Sequence, residues 1–148
     1  MRHTLLHEHQ GQRTLALIFE TGEEVMSLLL DFCRRQRLGA SHFTAIGAFQ
    51  RATVAYFDWQ TKAYQKIPID EQVEVLSLAG DVAIGDDGPQ VHAHVVVGKA
   101  DASAHGGHLM EAIVRPTLEV ILIESPAYLH RRLNEETGLA LIAIGPPS

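Results

Sequence analysis

Three histidines carry the most chemistry in this chain: His92 and His94 in Val91-His92-Ala93-His94, and His108 in Ala104-His105-Gly106-Gly107-His108-Leu109. Residues at i and i+2 of a strand point to the same face, and the β-branched run Val91–Val97 reads as a strand. The polar, glycine-containing stretch Gly98–Gly107 reads as a loop that returns His108 to that face, its glycine pair permitting close backbone approach. Three neutral imidazoles form a borderline-soft ligand set that suits Zn²⁺ or another divalent transition metal and leave a fourth position open. His-x-His alone is also what the polar face of any strand carries, so the assignment rests on the third histidine. His105 competes for that place but lies in the looser part of the loop, which leaves it a supporting or solvated role.

The elements that must hold these residues follow from periodicity and turn chemistry. Arg13–Phe19 reads as a strand ending at Glu20-Thr21-Gly22. Thr21, three residues before Glu24, forms a capping box for a main helix over about 22–38, with Val25, Leu28, Leu29 and Phe32 on its apolar face and Leu38-Gly39 at its end. Phe43–Phe49 and Ala52–Trp59 read as two strands divided at Gln50-Arg51, with Gly47 a bend or bulge. Thr61–Ile67 is a weaker strand, and Gln72–Leu78 alternates apolar and polar. Gly80 and Gly85-Asp86-Asp87-Gly88-Pro89 mark turns. Val91–Val97 and Leu118–Ile123 are the most apolar strands. Pro126–Asn134 suits a short second helix, and Leu139–Ile144 closes the sheet before Gly145-Pro146-Pro147. This pattern predicts one α+β domain over residues 1–148, mainly an antiparallel sheet with two helices, and a flexible, solvent-facing start over residues 1–10 with His3, His7 and His9.

Bulk properties narrow the function. The 148 residues suffice for one core, and 46% hydrophobic with 20% charged residues is ordinary for a soluble globular protein. A net charge of −6 argues against a whole-surface footprint for DNA or anionic membrane. A nucleic-acid patch would have to be local, from Arg34, Arg35, Arg37 and Arg51. The single cysteine, Cys33, excludes an intrachain disulfide, suits the cytoplasm, and reads as a small buried hydrophobe. No apolar run approaches the length of a membrane span, and the N-terminus lacks a signal-peptide core.

The ordered set Glu74-Val75-Leu76-Ser77-Leu78-Ala79-Gly80, Val91-His92-Ala93-His94, Gly106-Gly107-His108-Leu109 and Pro116-Thr117-Leu118-Glu119-Val120 resembles the PPC (plants and prokaryotes conserved) domain. Phe43-Thr44-Ala45-Ile46-Gly47-Ala48 and Tyr56-Phe57-Asp58 match its prokaryotic single-domain members, so the resemblance covers nearly the whole chain. It implies a compact domain, a homotrimer, and in some members a metal held at the positions of His92, His94 and His108. Prokaryotic members are commonly labelled DNA-binding, after plant relatives in which a basic AT-hook holds the DNA. This chain has no Arg-Gly-Arg-Pro hook core.

A three-histidine metal with an open position permits hydrolysis or hydration if a proton acceptor lies nearby. Glu111 and Glu119 are the candidate catalytic carboxylates, and Glu74 has a similar claim. Glu119, placed in an apolar strand, is expected to need a partner. In a trimer, a neighbouring subunit would bring Arg51, Tyr56 or His42 towards the open position. No G-x-S-x-G elbow or phosphate-binding loop is present, and Gly85-Asp86-Asp87-Gly88 is too short for a calcium loop. The leading expectation is a trimeric metal-binding protein that recognises a small molecule or protein partner in a regulatory role. A metal-dependent hydrolase or lyase comes next, and DNA binding third.

Overall fold

The computed structural model describes residues 1–144; the Gly145-Pro146-Pro147 stop lies outside them. One nine-stranded sheet dominates, with a single helix among the described residues. The strands are β1 (Arg2–His9), β2 (Gln12–Glu20), β3 (Ala40–Asp58), β4 (Ala63–Ile69), β5 (Val73–Gly85), β6 (Gly88–Gly98), β7 (Ala104–Glu124), β8 (His130–Asn134) and β9 (Leu139–Ala143), and α1 spans Val25–Gln36. The main path runs β1-β2-β7-β3-β5-β8-β9, with β4 on β3 and β6 bridging β5 and β7. Strands β3, β5, β6 and β7 therefore close a circuit of antiparallel pairing, and their buried side chains pack with those of β2 and α1 into one core.

The period-2 pattern is clearest in β2, where Leu15, Leu17 and Phe19 are buried. In α1 the buried residues Val25, Leu29, Phe32 and Cys33 recur at helical spacing and face the sheet. Burial pushes the Cys33 thiol up to about 12, with the nearby Glu124 adding to the effect, so it stays protonated and inert.

The expected α+β division with two helices is overturned: the described residues are mostly sheet, with one short helix. Residues His130–Asn134 of the anticipated second helix form β8 instead. Ile84 N–H donates to Leu129 O at 2.7 Å, and β9 pairs with all five residues of β8, so this segment meets its backbone hydrogen-bond demand in the sheet. The parallel contact of β8 with β5 at Ile84↔His130 makes the sheet mixed.

The helix start also differs. The Thr21 hydroxyl donates to Pro116 O, and Glu24 is the N-cap, accepting from Met26 N–H at 3.1 Å and Ser27 N–H at 2.6 Å. At the other end Arg37 adopts φ 54°, and Leu38 N–H donates to Cys33 O at 2.9 Å, closing a Schellman motif one residue before the expected stop. Strand β3 is continuous where two strands were expected. Gly47, at φ 148°, absorbs a bulge because a Cβ there would lie 2.3 Å from Thr117 O. Gly80 stays inside β5. Arg2–His9 is an edge strand paired with β2, and all eight residues are exposed.

Candidate metal centre

The hairpin Gly85-Asp86-Asp87-Gly88 joins β5 to β6 and fixes their register from Gly85↔Gly88 back to Asp81↔His92 and Ala79↔His94. A five-residue connection, Lys99–Ser103, then leads into β7, so Ala104–Gly107, expected as loop, is already strand. His108 comes directly opposite His94. Directly opposed residues of an antiparallel pair share a face, which puts His92, His94 and His108 together. The glycine pair does what its lack of side chains suggested. A Cβ on Gly106 would lie 2.8 Å from Val95 O, and one on Gly107 would lie 2.8 Å from Ala55 O. Without those atoms β7 runs close between β6 and β3.

One ligating nitrogen from each of the three histidines lies within 4.8 Å of the others. Their ring centroids are 5.0, 5.1 and 5.3 Å apart. His94 Nε2 and His92 Nε2 are separated by 3.2 Å. Either one ring donates to the other, or both nitrogens take the same ion: two ligands about 2.0–2.1 Å from a tetrahedral ion sit about 3.3 Å apart. His94 is exposed, while His92 and His108 are half-buried.

Asp81 stands opposite His92 across the hairpin, its carboxylate 3.5 Å from His92 Nδ1. That contact leaves Nε2 as the outward nitrogen and supplies the carboxylate–histidine pairing typical behind a metal ligand. Arg131, from β8, grips the same carboxylate through Nη2, and its Nη1 donates to Ala140 O at 3.0 Å. Burial raises the Asp81 carboxyl, but the hydrogen bond from His92 and the charge and hydrogen bond of Arg131 outweigh it and hold the group below its ordinary value. Burial, then the neighbouring His92, His94 and Arg131, pushes His108 down to about 4, and burial with His92 lowers His94. Both rings are therefore neutral at pH 7, the state a metal ligand requires. His108 packs against the Tyr64 ring at 4.7 Å, and its Nδ1 is buried without a hydrogen-bond partner. An unspent buried imidazole nitrogen, neutral rings and a supporting carboxylate all fit a divalent transition metal.

The other candidates lie elsewhere. His105 is exposed, its ring nitrogen 3.4 Å from the Ser103 hydroxyl. Glu111 is exposed and its carboxylate lies 3.5 Å from the Thr53 hydroxyl, in a cleft beside α1. Glu119 and Glu74 are exposed and need no partner, contrary to the expectation for Glu119; the buried carboxylate of β7 is Glu124. Arg34 and Arg35 occupy the last turn of α1 and Arg37 its cap, with Arg35 paired to Asp31. Arg51 pairs with Ile113, which bridges Glu24 at the opposite end of the helix, about 15 Å away at 1.5 Å per residue. His42 and Tyr56 are exposed on β3. Sequence reasoning missed Asp81 and Arg131. For Asp81 the signal was present: a two-residue hairpin turn sets the pairing of every residue behind it.

The Plants and Prokaryotes Conserved (PCC) domain matches residues 6–126. Among solved structures, a metal-containing protein from Archaeoglobus fulgidus shares 34% identity and a TM-score of 0.82, over 88% of this chain and 93% of that one. A plant- and prokaryote-conserved protein from Pyrococcus horikoshii shares 28% identity and a TM-score of 0.83, over 99% and 97%. A protein from Bacteroides thetaiotaomicron, provisionally named as DNA-binding, shares 25% identity and a TM-score of 0.84, over 95% and 96%. No curated protein matches the chain. The motifs on β5, β6 and β7 thus lie within a match that spans most of the sequence, and the chain belongs to the Plants and Prokaryotes Conserved domain family.

Proposed function

We propose that this protein binds one divalent transition-metal ion, zinc foremost, through His92, His94 and His108. It presents the ion's open position to a small-molecule or protein partner in a regulatory or recognition role. The observation that carries this reading is the convergence of three imidazole nitrogens within 4.8 Å, with Asp81 behind His92. The similar Archaeoglobus protein is itself metal-containing. When bound, such an ion supplies a Lewis-acid position on a three-nitrogen base. The chain's part is to hold His94 and His108 neutral, orient His92 through Asp81, and shield one side with Tyr64.

A hydrolase or lyase reading finds no free carboxylate base at this point among the described residues. Glu111 and Glu119 lie away from the histidines, and Asp81 is committed to His92 and Arg131. A nucleic-acid reading has its arginines divided between the two ends of α1. A cytoplasmic location accords with the lone buried cysteine. No helix among the described residues is long and apolar enough to cross a membrane.

We further propose a homotrimer. Its support is an apolar groove on the outer face of the pairing circuit, where Ile46, Leu76 and Ile121 are exposed. Such contiguous apolar surface marks association sites. The face is continuous with the metal centre, since Ile121, Thr44, Ala79, His94 and His108 are successive cross-strand partners.

Elemental analysis of protein offered zinc and freed of excess should give one ion per chain. His92→Ala should lose it while remaining folded. No retained ion in the parent chain would overturn the reading. Light scattering should return three times the 16.3 kDa chain mass, reduced by Ile46→Lys; a monomer would remove the trimer and leave the metal untouched.

A further inference from the structure

A cavity of about 190 Å³ opens against His92 and His108, with Tyr64 and Arg131 in its wall and Leu139 and Leu141 of β9 across it. Its volume accommodates about six waters. Arg131 is the unusual residue here. Its side chain is only 8% exposed; Nη2 donates to Asp81 and Nη1 to Ala140 O, yet Nε is buried with no hydrogen-bond partner. A buried, unsatisfied donor on a permanent cation is costly, and it needs an acceptor that the described chain does not provide.

The charges of the site point to the same kind of acceptor. Asp81 and Arg131 cancel, and three imidazoles serving as ligands are neutral. A divalent ion there would carry two uncompensated charges, with no carboxylate among the cavity's described lining residues. The fourth ligand should therefore be an anion. A tetrahedral dianion such as phosphate would set its remaining oxygens against Leu139 and Leu141, which offer only hydrocarbon. A carboxylate carrying a short apolar tail matches both surfaces.

Resting on the metal reading above, we infer that this cavity is the binding site for a small monocarboxylate. One carboxylate oxygen takes the position that the three histidines leave open, the other accepts from Arg131 Nε–H, and the tail lies against Leu139 and Leu141. Hairpin β8–β9 is then the recognition element, because it contributes both the cation and the apolar wall.

The test is calorimetric titration of the zinc-loaded chain with sodium propionate, with inorganic phosphate as the competing probe and zinc content measured on the same samples. Millimolar propionate binding, stronger than phosphate binding, is expected. Arg131→Met should weaken it about tenfold or more, the worth of a hydrogen bond between charged groups, with zinc retained. Leu139→Trp, which fills the cavity without touching the Asp81 pair, should abolish propionate binding with zinc retained and guards against misfolding of the first variant. Absence of propionate binding to zinc-loaded protein, equal binding to the zinc-free chain, unchanged binding in both variants, or a preference for phosphate would each overturn the inference while leaving the metal reading intact. Failure to retain zinc overturns both.

Discussion

Two polar clusters sit in this sheet, one around Glu124 and one around Asp81, and they are built on opposite principles. Glu124 is 5% exposed and accepts from three donors: Gly39 N–H at 3.0 Å, Ala40 N–H at 3.3 Å and the Ser41 hydroxyl. Asp81 is more open and also has two partners, His92 and Arg131, but the cluster it organises leaves two buried nitrogens unmatched, His108 Nδ1 and Arg131 Nε. A satisfied buried network fixes a fold, whereas unmatched buried atoms leave a demand for hydrogen-bond partners. The first cluster locks the start of β3 to the end of β7. The second holds three rings ready on the outer face.

The sharpest way to break this contrast is Glu124→Ala. It strips the acceptor from two buried amides and one hydroxyl, and each unsatisfied group costs about 1–3 kcal/mol. A loss of roughly 3 kcal/mol or more in urea unfolding is expected, with one zinc per chain still bound by the folded fraction. A loss below about 1 kcal/mol would mean that water replaces the carboxylate and that the cluster does not fix the fold.

Asp81→Asn should give the reverse signature. The amide oxygen still accepts from Arg131, but the buried cation loses its counter-charge, so some stability is lost, less than in Glu124→Ala. Zinc affinity, read by competition with a chelating dye, should fall about 10–100-fold because His92 loses its carboxylate partner. Unchanged affinity would remove Asp81 from the metal centre and make it a structural group like Glu124.

The two clusters also differed in how far the chain alone revealed them. The three histidines were legible because residue type and i, i+2 spacing carry the chemistry, and glycines before His108 signal close approach. Glu124 shares the parity of buried Leu118, Val120 and Leu122, whereas Glu119 shares that of exposed Ile121. That alternation is blurred because Ile121 and Ile123 are apolar on the outer side as well. Arg131 was hidden for another reason: its hairpin meets the main sheet through one parallel bridge at Ile84↔His130, a non-local contact that no periodicity encodes. The unbroken β3 follows the same logic. Gln50-Arg51 looks like a boundary, yet pairing with β7 resumes at Arg51↔Ile113 and carries the strand through.

A third carboxylate lies between these two extremes and predicts the smallest effect. Glu24 caps α1 through Met26 and Ser27 and also accepts from Ala112 N–H of β7 at 3.1 Å, so it pins the helix to the sheet. Burial raises its carboxyl, but hydrogen bonds from Ser27, Met26 and Ala112 together outweigh that and hold it below the ordinary glutamate value of 4.5. A group with a depressed folded value adds stability that is fully present above its unfolded value and is lost as pH falls through the folded one. Glu24→Ala should therefore lower stability by about 1 kcal/mol at neutral pH, the usual worth of a cap. The difference between the two proteins should narrow as pH drops below the ordinary glutamate value, since protonation removes from the parent what the substitution removes from the variant. Measuring the difference cancels Glu23 and Asp81, whose lowered values place their own titrations in the same window. A gap that persists undiminished into acid would assign Glu24's contribution to side-chain packing and not to its charge.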